Sequence, residues 1–117
     1  MKTRLPKAPS EPEARFLQCW KAVGGCELRS EVVFHPSRQW KFDFATIGKA
    51  PCGRPVAFEI EGLTPPWVKS RHTTNDGYRE DCLKYSAAAM LGWFVVRITP
   101  DQIQPAYLEE IREAFGL

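Results

Sequence analysis

Two short apolar segments decide how this chain folds: FDFA at residues 42–45 and VAFEIEG at residues 56–62. Each is apolar enough for a buried strand, yet together they carry the carboxylates of Asp43, Glu59 and Glu61. Side chains at positions i and i+2 share one face of a strand, so the two glutamates lie side by side. The same alternation places both phenylalanines of the first segment opposite Asp43. If the segments pair as a hairpin, the three carboxylates converge.

Such a cluster needs a binding partner. A carboxylate that is left unpaired in an apolar setting destabilises the folded state, so three of them on two core strands indicate that something binds them.

Composition limits the class of protein. With 117 residues, 44% hydrophobic and 12% aromatic, the chain is long and apolar enough for one folded domain. We expect a loose arm at residues 1–9 and a single domain at residues 10–117. No apolar run is long enough to span a membrane, and the start MKTRLPKAPSEPE lacks the apolar middle of a secretion signal. We therefore expect a cytoplasmic protein without a membrane segment.

The order of elements follows from periodicity and turn residues. Ser10 is a good helix N-cap with Glu13 three residues later, as in a capping box, and two glycines end the helix after residue 23. The pattern predicts helices at residues 11–23, 78–91 and 104–115, and strands at 31–34, 39–45, 56–61 and 93–98. A helix between the last two strands implies a mixed sheet with helices on its faces, an α/β fold.

The second helix and the last strand have clear core candidates. A buried stripe on the helix is predicted for Cys82, Tyr85, Ala88, Ala89 and Leu91. The strand WFVVRI at residues 93–98 is interpreted as core throughout, except that Arg97 pairs with an acid or with DNA.

Cysteine spacing and charge distribution bear on cofactors and partners. The four cysteines form no CxxC pair, which favours free thiols in a reducing compartment over a zinc site. The net charge of +2 is too small to imply nucleic-acid binding by itself. Basic residues nevertheless flank the acidic segments on both sides, which suits an enzyme acting on a phosphate backbone. Ordinary solvated surface charges explain the same pattern.

Several of these residues and segments resemble those of a known family. Asp43, followed after fifteen residues by the triplet Glu59, Ile60 and Glu61, resembles the D-x(n)-(D/E)-x-K signature of the PD-(D/E)XK nuclease superfamily, whose core order is αβββαβ. The segments WKFDFA, EIEG, RHT and DCLKYSAAAMLGWFVVRITPD resemble a small phage and bacterial branch of endonucleases, similar to very-short-patch repair and Holliday-junction-resolvase-like enzymes. The resemblance covers about residues 10–103 and implies a restriction-endonuclease-like fold.

The resemblance also implies a metal site. Asp43 and Glu59 would hold a divalent ion, Mg²⁺ with Mn²⁺ as an alternative, and the backbone carbonyl of Ile60 would add a ligand. Such an ion lowers the pKa of a bound water and polarises the scissile phosphate. Glu13 matches a helix carboxylate that often completes this site, although helix capping explains it equally well.

One position departs from the family: Glu61 stands where the motif has lysine. Related restriction enzymes with E-x-E use the second glutamate on the water or on a second metal. Alternatively, Lys84 supplies the positive charge from the following helix. If neither holds, the domain is an inactive DNA-binding relic.

The long loop after Glu61 is expected at the mouth of the site. Lys69 and Arg71 are candidates for phosphate binding. His72 is a general base, a phosphate contact or an ordinary polar contact. Trp67 either stacks on a base, wedges into a distorted duplex or anchors the loop in the core.

Two functions are consistent with these residues. The first is a metal-dependent DNA endonuclease, selective for branched or nicked DNA, that dimerises through its apolar closing helix; packing of that helix on its own sheet is the alternative. The second is a non-catalytic nucleic-acid-binding or protein-interaction module with the same fold.

Overall fold

The computed structural model describes residues 8–63, 67 and 74–117. Its elements follow the order predicted for an αβββαβ core with a C-terminal helix, and this confirms the α/β class. The helices and strands are α1 (Glu11–Ala22), β1 (Leu28–Val33), β2 (Lys41–Thr46), β3 (Val56–Ile60), α2 (Asn75–Met90), β4 (Phe94–Ile98) and α3 (Pro105–Phe115). A short 3-10 turn, Pro100–Gln102, precedes α3.

The four strands form one mixed sheet in the order β1-β2-β3-β4. The β1–β2 and β2–β3 pairs are antiparallel, so the predicted hairpin between the two acidic segments is confirmed. Strand β4 runs parallel to β3, with Glu59 opposite Arg97, and α2 forms the crossover between them. This register brings a guanidinium from β4 beside the acidic strand.

Helices pack on both faces of the sheet. On one face, Phe16 of α1 lies with its ring centroid 5.3 Å from those of Phe44 and Phe58, and α3 contributes Leu108 to the same core. On the other face, Ala88 of α2 packs against a smaller cluster of Phe42, Ala45 and Ala57. Small side chains at this second contact allow α2 to lie close to the sheet.

The strand alternation predicted for β2 is wrong at its beginning. Phe44 belongs to the core on the α1 face, whereas Phe42 belongs to the cluster on the α2 face, so the two do not share a side. Glu31 of β1 has a φ of 51°, in the left-handed region, and the β1–β2 register skips the pair that it would form with Asp43. This local break in the pairing ends the regular alternation at Asp43.

Helix α1 begins as predicted, with the Ser10 hydroxyl accepting a hydrogen bond from the amide of Glu13. Helix α2 begins three residues earlier than predicted because Thr74 caps it by accepting from the amide of Gly77. The predicted buried stripe on α2 is largely wrong, since Cys82, Ala89 and Leu91 are exposed. The helix is buried instead through the residues Gly77, Asp81, Ala87 and Ala88.

The prediction that the last strand is core throughout is wrong at Phe94. Phe94 is 37% exposed because β4 is an edge strand, and its ring packs on Phe115 at 5.6 Å. In α3, Leu108 and Ile111 are buried in the core on the α1 face. Helix α3 therefore packs within its own domain, and the homodimer stays a prediction.

None of the helices in the described part of the chain has both the length and the apolarity needed to cross a bilayer. All four cysteines lie in described segments and are free thiols, with Cys52 and Cys82 exposed.

Candidate functional site

Asp43 lies where β2 and β3 separate. The paired residues of these strands end at Phe44 and Phe58, and beyond them Asp43 Oδ2 accepts a hydrogen bond from the Ile60 amide at 2.8 Å. Burial raises the pKa of Asp43, and the negative charges of Glu13 and Glu61 act in the same direction. The Ile60 hydrogen bond and the charge of Lys84 oppose this rise. The Asp43 carboxylate thus takes the place of a backbone carbonyl as the acceptor for the Ile60 amide. This hydrogen bond holds the carboxylate in one orientation.

Glu59 is the most buried acid of the site, at 8% exposed. Lys84 of α2 reaches across the face of the sheet, and its Nζ lies 2.8 Å from Glu59 Oε1. Burial raises the pKa of Glu59 to about 7, although the hydrogen bond and charge of Lys84 lower it. The raised pKa indicates that desolvation outweighs the single ammonium partner, so another nearby positive charge would further stabilise the carboxylate.

Glu61 is bound by two side chains from different elements. Its Oε1 accepts from Arg97 Nε of β4 at 2.8 Å and from the Tyr85 hydroxyl of α2 at 3.2 Å. The Arg97 guanidinium also lies over the Tyr85 ring, 4.4 Å from its centroid. Of the two alternatives for Arg97, pairing with an acid is therefore confirmed. Burial, followed by the charges of Glu59 and Glu61, raises the pKa of Tyr85 and keeps it a donor.

Glu13 has the capping role considered for it, and its role in completing a metal site stays a prediction. Its carboxylate accepts a hydrogen bond from the Ser10 hydroxyl at 2.8 Å, which is a capping interaction at the start of α1. It also lies close enough to Asp43 for its charge to raise the pKa of that residue. Helix α1 thus brings a fourth carboxylate towards the cluster.

The structure brings together most of the residues expected in the site. Glu59 and Glu61 both meet side chains of α2, as their shared face predicts: Lys84 pairs with Glu59, and Tyr85 donates to Glu61. Ile60 contributes its amide to Asp43, while the metal-binding role of its carbonyl stays a prediction. Trp67 is 84% exposed, which rules out the buried anchor. The phosphate-contact candidates Lys69, Arg71 and His72 lie outside the described residues.

The carboxylate cluster does not form a multi-acid metal site in the part of the chain that the structure describes. Within residues 8–63, 67 and 74–117, no group of three or more His, Cys, Asp or Glu side chains is arranged to bind a metal ion. Asp43 and Glu59 each have one carboxylate oxygen in the contacts above and a second oxygen outside them. Mg²⁺ is commonly held by one or two carboxylates with water completing its shell, so these are donors of the type that Mg²⁺ prefers, and a Mg²⁺ site at this pair stays a prediction.

The sequence did not reveal the role of Tyr85. We interpreted it as part of a core stripe, and the structure makes it a hydrogen-bond donor to Glu61. Its position next to Lys84 is no signal for this contact, because adjacent residues of a helix do not share a face.

These contacts define a class of site: a partly buried carboxylate cluster at the point where β2 and β3 separate. Positively charged side chains from α2 and β4 pair with its acids. No protein-family model, curated protein or solved structure matches this chain. The nuclease resemblance accordingly stays a prediction.

Proposed function

We propose that the chain is a Mg²⁺-dependent DNA endonuclease that hydrolyses phosphodiester bonds and selects branched or nicked DNA. The observation that carries the proposal is the ion pair between Lys84 and Glu59, with Nζ 2.8 Å from Oε1. It supports a lysine beside the second motif acid, although the sequence has Glu61 at the usual lysine position. We infer that the ammonium has moved to α2 while its place beside the acid is kept.

Asp43 and Glu59 are the residues that would hold the metal, Mg²⁺ or Mn²⁺, together with the carbonyl of Ile60. The ion, when bound, supplies a water of lowered pKa and a Lewis acid for the phosphate oxygens. The hydrogen bond from the Ile60 amide orients the Asp43 carboxylate before any ligand arrives. Burial, and to a smaller extent the negative charges of neighbouring carboxylates, raise the pKa values of both acids, and a divalent cation would relieve both effects.

Lys84 has the chemistry to stabilise a phosphate whose charge grows during attack. Its side chain is 16% exposed, so its charge acts in a poorly solvated setting where electrostatic stabilisation is strong. Glu61 is already bound by Arg97 and Tyr85, which favours a positioning role over that of a free general base. Glu13 is in electrostatic range of Asp43 and would supplement the negative field of the site.

The outer residues of the site complete the proposal. Lys69, Arg71 and His72 are proposed to bind phosphates, and the exposure of Trp67 favours stacking on a base. A cytoplasmic location is proposed with them, supported by the free thiols. A homodimer that cuts two strands belongs to the same proposal.

A second function has one observation in its favour. The pairs Lys84–Glu59 and Arg97–Glu61 already neutralise two of the acids without a metal ion. This favours a non-catalytic nucleic-acid-binding or protein-interaction module in which the cluster stabilises the fold.

Cleavage assays separate the two functions. Wild type, Asp43→Asn and Lys84→Met are incubated with branched, nicked, duplex and single-stranded DNA in Mg²⁺ or Mn²⁺. Asp76→Asn is the matched control, because the Asp76 side chain is 97% exposed and pairs with Arg79 at the surface. Metal-dependent cleavage that survives in the control and is lost in Asp43→Asn supports the endonuclease. No cleavage of any DNA by the wild type favours the module.

A further inference from the structure

A cleft of about 650 Å³ lies beside the carboxylate cluster, between one side of α2 and Arg97 of β4. Its α2 side chains are spaced three or four residues apart, which places them on one face of the helix. Its main lining residues are Tyr78, Asp81, Cys82, Tyr85, Ser86 and Arg97.

The walls of the cleft suit a flat, polar-edged ring. Tyr78 is 65% exposed. Tyr85 lies about two helical turns further along α2, and the Arg97 guanidinium lies over its ring. Ser86 adds a hydroxyl that can donate or accept a hydrogen bond. Aromatic rings and a stacked arginine are the groups on which nucleobases stack in proteins that bind single strands.

The cleft and the carboxylate cluster share a wall. Tyr85 and Arg97 line the cleft, and both donate hydrogen bonds to Glu61. A nucleotide whose base lay in the cleft would therefore have its backbone next to the acids. The side chain of Arg97 is 48% exposed and pairs with Glu61 through Nε, so its other N–H groups can donate to a phosphate at that border.

We propose that this cleft binds an unpaired nucleobase of a DNA strand, adjacent to the phosphodiester at the carboxylate cluster. The inference rests on the proposed function and narrows its substrate to strands that present an unstacked base, as at a branch or a frayed nick. Bases inside a duplex are stacked on both faces, so they cannot enter without being extruded.

Two exposed cysteines test the location directly. Cys82 lines the cleft, whereas Cys52 lies in the loop between β2 and β3 and serves as an internal control. Alkylation of each thiol is followed by mass spectrometry in EDTA, with a short single-stranded oligonucleotide or with an abasic strand of equal length. We expect the base-bearing strand to slow alkylation of Cys82 severalfold and to leave Cys52 unaffected. Equal protection by the abasic strand, or no protection of Cys82, overturns the proposal.

A matched pair of variants provides a second measurement. Ala89 is exposed and lines the cleft, so Ala89→Trp fills it; Met90, 82% exposed, is the next residue and lies outside the lining. We expect Ala89→Trp to weaken binding of the oligonucleotide about tenfold, the loss of one stacked base, and Met90→Trp to leave it unchanged. Equal affinities of the two variants contradict base binding in the cleft.

The outcomes separate this inference from the proposed function, because both measurements are made without a divalent metal. Base-dependent protection of Cys82 in a protein that cuts no DNA supports the cleft and refutes the nuclease. Metal-dependent cleavage without such protection supports the nuclease and refutes the cleft.

Discussion

The pH dependence of folding stability should report directly on the burial of Glu59. This residue is 8% exposed, and burial raises its pKa from an ordinary 4.5 to about 7. Between pH 4.5 and pH 7, Glu59 therefore keeps its proton in the folded protein and has released it in the unfolded chain. The contribution of Glu59 to stability is therefore fully present below pH 4.5 and is lost as the pH rises through 7. The interval between the two pKa values corresponds to about 3 kcal/mol.

The substitution Glu59→Gln isolates this effect, since glutamine has nearly the same size and does not titrate. Urea unfolding of wild type and variant is measured from pH 4.5 to pH 8. The difference in unfolding free energy, wild type minus variant, should fall by about 3 kcal/mol across this range. Glu109→Gln, at a side chain 55% exposed, is the control and should follow the wild type. Parallel curves for wild type and Glu59→Gln would refute the assignment of a raised pKa to Glu59.

Three further substitutions test the ion pair and the core. Lys84→Met leaves Glu59 buried without its cation, so urea unfolding at pH 8 should show a loss of about 3 kcal/mol that shrinks towards pH 5; an unchanged midpoint at pH 8 would contradict it. Phe16→Ala removes a fully buried ring between α1 and the sheet, for an expected loss of about 3–5 kcal/mol by the same measurement, and a loss below about 1 kcal/mol would show that its packing is unimportant. Gly25→Ala places a Cβ against the Trp20 ring, too close to fit without a shift, so thermal unfolding should reveal a destabilisation of about 1–3 kcal/mol, and a neutral effect would be inconsistent with this contact.

Much of the fold was predictable because its signals are local. The Ser10 cap, the hairpin of the two acidic segments and the crossover helix before the last strand are all found as predicted. The shared face of Glu59 and Glu61 follows from the period of a strand, which holds wherever pairing is regular. At Asp43 the pairing is not regular, because Glu31 on the neighbouring strand takes a left-handed conformation, and alternation failed there.

The site was predictable in its acids and less so in their partners. The sequence suggested Lys84 as a source of positive charge but not that it pairs with Glu59, and it left Arg97 between an acid and DNA. Which residues pair depends on distances between separate helices and strands. The stripe predicted on α2 failed for a related reason. That helix packs through alanines and presents Cys82 and Ala89 outwards, which the polar and apolar pattern of one helix does not reveal.

By itself, the amino-acid sequence determined the elements, their order and the concentration of acids on two strands, because capping, turn formation and side-chain periodicity act over a few neighbouring residues. The tertiary structure alone decided which cation meets which acid, how deeply Glu59 is buried and where a cleft opens beside α2. These properties depend on contacts between residues such as Glu59 and Lys84, 25 positions apart, and on the dielectric setting that packing creates around them.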